Sequence, residues 1–391
     1  MTAETAKQFE ALEGQATGIM QVFSKAGYEA VSPAMIQPAG VFLDVIGEAL
    51  RARTYVFTDP DGDELCLRPD LTVPTCRLHL ERAPSLATPA RYCYNGAAFR
   101  FQPQGADPAH PREFSQAGIE SFGSADLEQA EAETVATIID ALKSAGLRDF
   151  RLRFGDLGMF RALLHSVDIP ERWRQRLRHH FWRPDAFRTE LQRLTATPAD
   201  LMNSIPRDLQ VALNPLDVTA SEAAVQTYLE AEGIEAIGVR SVSEITANLL
   251  AKVADAQAEP LPPTTSRVIE RYIGLSAPAE TAAMAVKDLA REEGVDVADA
   301  LQTYQRRLDL IRRAGADTRH AEFSAEFGRT LEYYTGFVFE VFVPNSSHVS
   351  PVAGGGRYDS LMKSVGAAED VPAVGAAIHT ERLLAAVSGV R

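Results

Sequence analysis

The amino-acid sequence predicts an α+β protein in which an antiparallel sheet flanked by helices is interrupted by a mostly helical insertion. Three observations predict this. Strand patterns gather in two blocks, before residue 156 and after residue 316, and do not alternate regularly with helices. Segregated strands and helices point to α+β, not to a doubly wound sheet. The stretch 157–315 between the blocks carries helical periodicity almost throughout. The domains are therefore expected to be a core of 1–156 with 316–391, and an insertion with its connections over 157–315.

The elements follow in order. Phe9, Leu12, Ile19, Val22 and Phe23 have helical spacing over 5–26, and Gly27 stops that helix. Tyr28–Met35 reads as a short strand broken by Pro33, which suits an edge or an irregular pairing. YVFTDPDGDELCL, residues 55–67, reads as a hairpin turning at Asp-Gly. A helix is expected over 72–82, strands over 91–102 and 113–123, an amphipathic helix over 125–145 and a strand from Arg148. Within the insertion, LPPTT at 261–265 is a linker-like break, and helices are expected at 266–274, 278–292 and 298–314. A strand at 336–343, a glycine turn at GGGRYDSL (354–361), a helix at 356–365 and a strand–helix pair at 372–388 close the chain.

Composition narrows the function. The chain has 391 residues, 46% of them hydrophobic, and a formal net charge of −14. An acidic chain is a poor general binder of nucleic acid, because phosphate attraction supplies most non-specific affinity. The basic run Arg172–Arg183 reads as a solvated helix face or a protein-contact surface. Three cysteines, Cys66, Cys76 and Cys93, form no C-x-x-C pair and read as reduced thiols. The N-terminus lacks a signal-peptide pattern, and no apolar run reaches spanning length. A cytoplasmic protein without membrane contact is expected. Neither G-x-x-x-x-G-K-[ST] nor a strand-linked G-x-G-x-x-G is present. No catalytic residue, metal ligand set or cofactor is predicted.

Four constellations carry polar chemistry. In RPDLTVPTCR (68–77), Asp70 and Thr72 alternate along the chain and would share one side of an extended segment, where both could accept from an ammonium. The same three residues Arg-Pro-Asp also fit a simple Asx-capped turn. In AFRFQPQGADPAHPREFSQAGIESFG, Arg100 and Gln102 mark one strand, and Gln116 and Glu120 the next. Such groups on a buried face need partners. Either a cross-strand salt bridge between Arg100 and Glu120 or a ligand would supply them. RTLEYYTGFVFE places Arg329 beside Tyr333 and Tyr334, and the glycine run brings Tyr358 close to whatever it faces. Tyrosine hydroxyls beside a guanidinium suit a small zwitterion with a polar ring. Gly375 and Arg382 in VPAVGAAIHTERLLAAV fit ordinary helix packing as well as a site.

Taken together, these segments resemble the class II aminoacyl-tRNA synthetase core, and specifically the histidyl-tRNA synthetase lineage, over about 5–155 and 320–388. Pro33 falls in the first class II motif, Arg100 in the second and Arg382 in the third. The resemblance implies a histidine pocket. Asp70 and Thr72 would hold the α-ammonium, with Tyr358 nearby. Glu120 and Tyr334 would bracket the imidazole. Arg100, Gln116 and Arg329 would approach the α-carboxylate, and Tyr333 belongs to the same set. Asp70 is one methylene shorter than the family's usual glutamate.

The departures lie on the nucleotide side. Gln102 replaces an ATP-binding glutamate, the loop GADPAHP lacks basic character although Arg112 remains, and His379 stands where a small residue should flank adenine. The chain stops at Arg391, where the synthetases continue into an anticodon-binding domain. An intact amino-acid pocket beside a damaged nucleotide pocket resembles the regulatory subunits of ATP phosphoribosyltransferase. That resemblance implies L-histidine as ligand, a short-form catalytic subunit as partner, a homodimer within a hetero-oligomer, and no tRNA. Such a subunit would activate the first step of histidine biosynthesis and transmit feedback inhibition by histidine. A histidine-adenylating enzyme and an inert dimeric scaffold are the competing expectations. Arg100, Arg329 and Arg382 are the cations an adenylation reaction would use.

Overall fold

The computed structural model describes residues 5–43, 48–82, 88–103, 105–106, 110–196, 198–233, 241–328, 333–344 and 350–388. The chain divides into two compact units: Met1–Ser166 with Arg271–Arg391, and Val167–Glu270. Residues 157–166 and 271–315, expected in the helical insertion, lie in the first unit. There the helix Ala298–Arg313 packs on the helix Leu127–Ser144, and Leu157–Ser166 packs on the sheet. Helical periodicity shows that a segment has an apolar face and says nothing about which body covers it.

The strands of the described residues are β1 (Glu29–Ala30), β2 (Ile36–Pro38), β3 (Val56–Thr58), β4 (Glu64–Leu67), β5 (Ala90–Phe99), β6 (Glu113–Phe122), β7 (Arg151–Asp156), β8 (Ser276–Pro278), β9 (Glu322–Ser324), β10 (Phe337–Phe342), β11 (Ala353–Arg357) and β12 (Ala373–His379). A nine-stranded sheet runs β1-β5-β6-β12-β11-β10-β7-β9-β8, and β2-β4-β3 form a small antiparallel sheet. The large sheet is antiparallel except at β1·β5 and β7·β9. The predicted hairpin is β3–β4, and Gly62 at its turn has φ +94°, which glycine adopts without strain.

Helices pack on the sheet through the expected apolar stripes. Ala6–Lys25 is capped by a reciprocal Thr5–Gln8 box and buries Ala16, Ile19 and Phe23. Leu127–Ser144 is capped by Asp126 and buries Val135, Ile138, Ile139 and Leu142. A buried ion network joins this layer to the strands. Arg307 donates to Glu131 and Asp156, and Arg357 Nε donates to Glu131 Oε1 at 2.7 Å.

The glycine run corrects the sequence prediction. Gly354, Gly355 and Gly356 form no turn; they lie inside β11, between β10 and β12, and the following helix is only Leu361–Ser364. A Cβ on Gly355 would fall 2.1 Å from the Gly375 carbonyl oxygen, and one on Gly356 would fall 2.4 Å from that of Phe337. Bare backbone is what lets these strands approach.

The second unit is helical. Leu209, Leu213, Val225, Leu229, Leu250 and Val253 form a core of its own. The basic run does not stand wholly in solvent. Trp173 and Leu177 are buried, and Arg172 and Arg176 pair with the buried Asp255. No helix of the described residues is long and apolar enough to cross a membrane.

Candidate functional site

A cleft in the first unit opens over β6, β11 and β12 and the start of the helix Thr72–Arg82. It is lined by Asp70, Thr72, Arg100, Gln116, Tyr333, Tyr334 and Tyr358, together with Phe114, His379 and Arg382. Seven of the nine predicted site residues thus meet on one surface. Glu120 lies directly beneath it, and Arg329 falls outside the described residues.

Asp70 and Thr72 are not in an extended segment. Asp70 precedes the helix that Thr72 begins, and Asp70 Oδ1 accepts from Val73 N at 3.2 Å. The Asx-type cap is therefore real, but it uses one oxygen. Among the described residues, Asp70 Oδ2 is buried without a hydrogen-bond partner. Burial holds this carboxyl above the usual carboxylate range, with the Arg100 guanidinium acting in the opposite sense. Gln116 Oε1, on the same wall, is also buried and has no hydrogen-bond partner among the described residues. Unsatisfied acceptors of this kind are uncommon in native structures and mark places where a donor is expected to bind.

Arg100 supplies the opposite charge. Its Nε donates to the Pro69 carbonyl at 2.9 Å, and its guanidinium sits 4.9 Å over the Phe114 ring. Burial lowers its pKa to about 10. Two sequence expectations change here. Arg100 and Gln102 lie just beyond β5, and Arg100 N bonds to the Arg112 carbonyl oxygen. Glu120 faces Tyr92 in the β5–β6 register, eight residues along, so the Arg100–Glu120 salt bridge does not form.

Glu120 is instead the floor of the cleft. It is fully buried and accepts from Thr72 Oγ1 at 2.7 Å, from Tyr94 Oη at 2.8 Å and from Tyr358 Oη. Burial pushes its carboxyl up to about 7, against the hydrogen bonds from Tyr358, Thr72 and Tyr94. Two glycines make the arrangement possible. A Cβ on Gly375 would fall 1.6 Å from Glu120 Oε2, and one on Gly118 would fall 2.5 Å from Tyr94 Oη. Tyr94, which donates to Glu120 beneath the cleft, is the neighbour that sequence reasoning missed. Its only local signal is the cross-strand pairing of a large tyrosine with Gly118.

Tyr333, Tyr334 and Tyr358 form an aromatic wall, with ring centroids 4.9, 5.8 and 6.4 Å apart. Of the other residues in the glycine run, Arg357 turns away to Glu131, and Asp359 Oδ1 accepts from Ala373 N. At the far end of the cleft His379 stacks on Phe114 at 4.7 Å with the rings 12° apart, its Nδ1 lying 3.2 Å from Glu381 Oε2. Gln102 does not line the cleft. It donates to the Pro111 carbonyl and accepts from Arg53. Residues 107–109 of the GADPAHP loop are outside the described residues.

This sheet and cleft define a class II synthetase-like core of histidyl-tRNA synthetase type. The histidyl-tRNA synthetase family model matches residues 3–238 and 220–383. Solved structures agree on the fold. An ATP phosphoribosyltransferase regulatory subunit/histidyl-tRNA synthetase from Bacillus halodurans superposes with a TM-score of 0.67 at 20% identity, covering 99% of this chain and 82% of that one. A histidine–tRNA ligase subunit from Alicyclobacillus acidocaldarius gives 0.61 at 22% identity, covering 100% and 96%. Among curated relatives, the ATP phosphoribosyltransferase regulatory subunit of Brucella anthropi is 35% identical over 361 residues, 91% of this chain and 92% of that one. That of Brucella canis is 35% identical over 363 residues, 91% and 93%. The chain belongs to the histidyl-tRNA synthetase family, in the branch of the ATP phosphoribosyltransferase regulatory subunits.

Proposed function

We propose that the chain binds L-histidine in the cleft of Asp70, Arg100 and Tyr358 and acts as a cytoplasmic histidine sensor. As a homodimer within a hetero-oligomer, it activates a short-form ATP phosphoribosyltransferase catalytic subunit, which condenses ATP with phosphoribosyl pyrophosphate. Histidine bound in the cleft reverses that activation. The observation that carries the reading is the pair of buried acceptors, Asp70 Oδ2 and Gln116 Oε1, that have no partner among the described residues, in a cleft that also presents Arg100. Acceptors suit an ammonium, the guanidinium suits a carboxylate, and the tyrosine wall over Glu120 suits a ring that both donates and accepts. Arg329 belongs to the proposed histidine-binding set with Asp70, Thr72, Arg100, Gln116, Glu120, Tyr333, Tyr334 and Tyr358. Feedback requires two arrangements of the complex that histidine binds unequally.

His379 favours a sensor over an adenylating enzyme, because its imidazole already stacks on the Phe114 ring. Arg100 and Arg382, both lining the cleft, are the features that favour the enzyme. The test is phosphoribosyl-ATP formation by a short-form catalytic subunit mixed with this chain while histidine is titrated. Stimulation reversed by histidine, and weakened feedback in Glu120→Ala and Tyr334→Phe, is the expected result. No stimulation, together with histidine-dependent ATP–pyrophosphate exchange, would replace it with the adenylation reading.

A further inference from the structure

The second unit contains a cleft of about 470 Å³ between the helices Glu171–His180, Pro184–Leu194 and Val242–Ala256. Its chemistry is the reverse of the chain's. The whole sequence carries −14, yet Arg176, Arg193 and Lys252 line this cleft against one lining carboxylate, Glu190. Asp255, beneath it, is fully buried at its side chain and is met by Arg172 at 2.9 Å, Arg176 at 2.6 Å and Arg193 at 3.0 Å. Arg176 and Arg193 also reach Glu190, at 3.1 and 2.8 Å.

Two carboxylates against three guanidiniums leave one positive charge over, and Lys252 adds a second. Neutralising Asp255 and Glu190 needs only two of these cations, so the ion network by itself does not account for the cluster. Nor are the donors used up. Arg193 Nη1 is buried without a hydrogen-bond partner among the described residues. Guanidinium forks that still have a vacant donor in a partly desolvated site suit a tetrahedral dianion. The rest of the wall, Ile245, Leu249 and Asn248, is mainly apolar. A site of this size holds more than an inorganic ion, since small-molecule clefts are of this order and combine an apolar wall with a few placed polar groups.

We propose that this cleft is a binding site for a small phosphomonoester, with the phosphate on Arg193, Arg176 and Lys252 and the organic body against Ile245 and Leu249. The site is separate from the histidine cleft and stands or falls independently of it. The chain supplies its own reporter. It has two tryptophans, Trp173 and Trp182, and both lie in this unit. Trp173 Nε1 donates to Asp255 Oδ1 at 2.6 Å, so a ligand that draws Arg176 or Arg193 off Asp255 changes the indole's surroundings.

The experiment titrates the full chain with phenyl phosphate, phenol and inorganic phosphate while tryptophan fluorescence is followed, with calorimetry in parallel. A saturable response to phenyl phosphate is expected, weaker for inorganic phosphate and absent for phenol. Lys252→Ala, which removes a partly exposed side chain with no ion-pair or hydrogen-bond partner among the described residues, should weaken phenyl phosphate binding about 10-fold, the scale of one charge-assisted hydrogen bond. Lys252→Glu should abolish it, with the circular dichroism spectrum unchanged. Absence of a saturable response by both methods, equal binding of phenol, or unchanged affinity in Lys252→Glu would each overturn the proposal.

Discussion

Asp70→Asn separates the proposed binding role of Asp70 from its structural one. Asparagine keeps the Oδ1 acceptor for Val73 N, so the helix that begins at Thr72 keeps its cap. The changed atom is the second oxygen, which is buried and has no hydrogen-bond partner among the described residues. For folding, the loss should cost nothing. Burial already disfavours the charged form, as the raised carboxyl pKa records, so a neutral amide is expected to leave stability unchanged or slightly higher. For histidine the consequence is opposite. A charge-assisted hydrogen bond from an ammonium contributes about 1.5–3 kcal/mol. At roughly 1.4 kcal/mol per decade this is about a 10- to 150-fold loss of affinity. The amide NH₂ would face the ammonium as a donor, which puts the expectation at the upper end. Calorimetric titration of histidine, with urea unfolding of the same two proteins, measures both quantities. Affinity within about threefold of wild type would refute the assignment of Asp70 Oδ2 to the ammonium. Destabilisation by more than about 1 kcal/mol would show that the oxygen serves the fold instead.

Three further outcomes follow from the geometry. Because burial raises the Glu120 carboxyl to about 7, the folded chain holds a proton that the unfolded chain releases near pH 4.3. The folded state binds more protons between those values, so this group's contribution is complete below the lower one and is lost as pH rises through 7. The urea midpoint of wild type should therefore fall from pH 5 to pH 8 relative to that of Glu120→Gln, and parallel profiles would contradict it. Gly375→Ala places a methyl 1.6 Å from Glu120 Oε2, where rearrangement should cost about 1–3 kcal/mol in chemical unfolding; a neutral result would mean that β12 shifts freely. Arg307→Ala strands Asp156 as a buried carboxylate and leaves Glu131 with Arg357 alone, and should cost about 3–5 kcal/mol, checked by thermal and urea unfolding.

Legibility from sequence followed the range of the interaction concerned. The helices at 6–25 and 127–144 and the β3–β4 hairpin are set by local spacing, caps and an Asp-Gly turn, and the sequence alone determined them. It also determined which residues to suspect in the cleft, because Asp70, Arg100, Gln116 and the three tyrosines sit in separate polar-marked segments that resemble one family's pocket. What only the tertiary structure decided depends on neighbours distant along the chain. The glycine run is a central strand because two other backbones crowd it, whereas local propensity reads three glycines as a turn. Arg100 and Glu120 part company because cross-strand register is fixed by pairing, with Tyr92 opposite Glu120. Arg357 turns to Glu131, and Tyr94 reaches Glu120 through the space left by Gly118. The helices at 279–293 and 298–313 join the first unit, since an apolar stripe must be buried but does not name the surface that buries it.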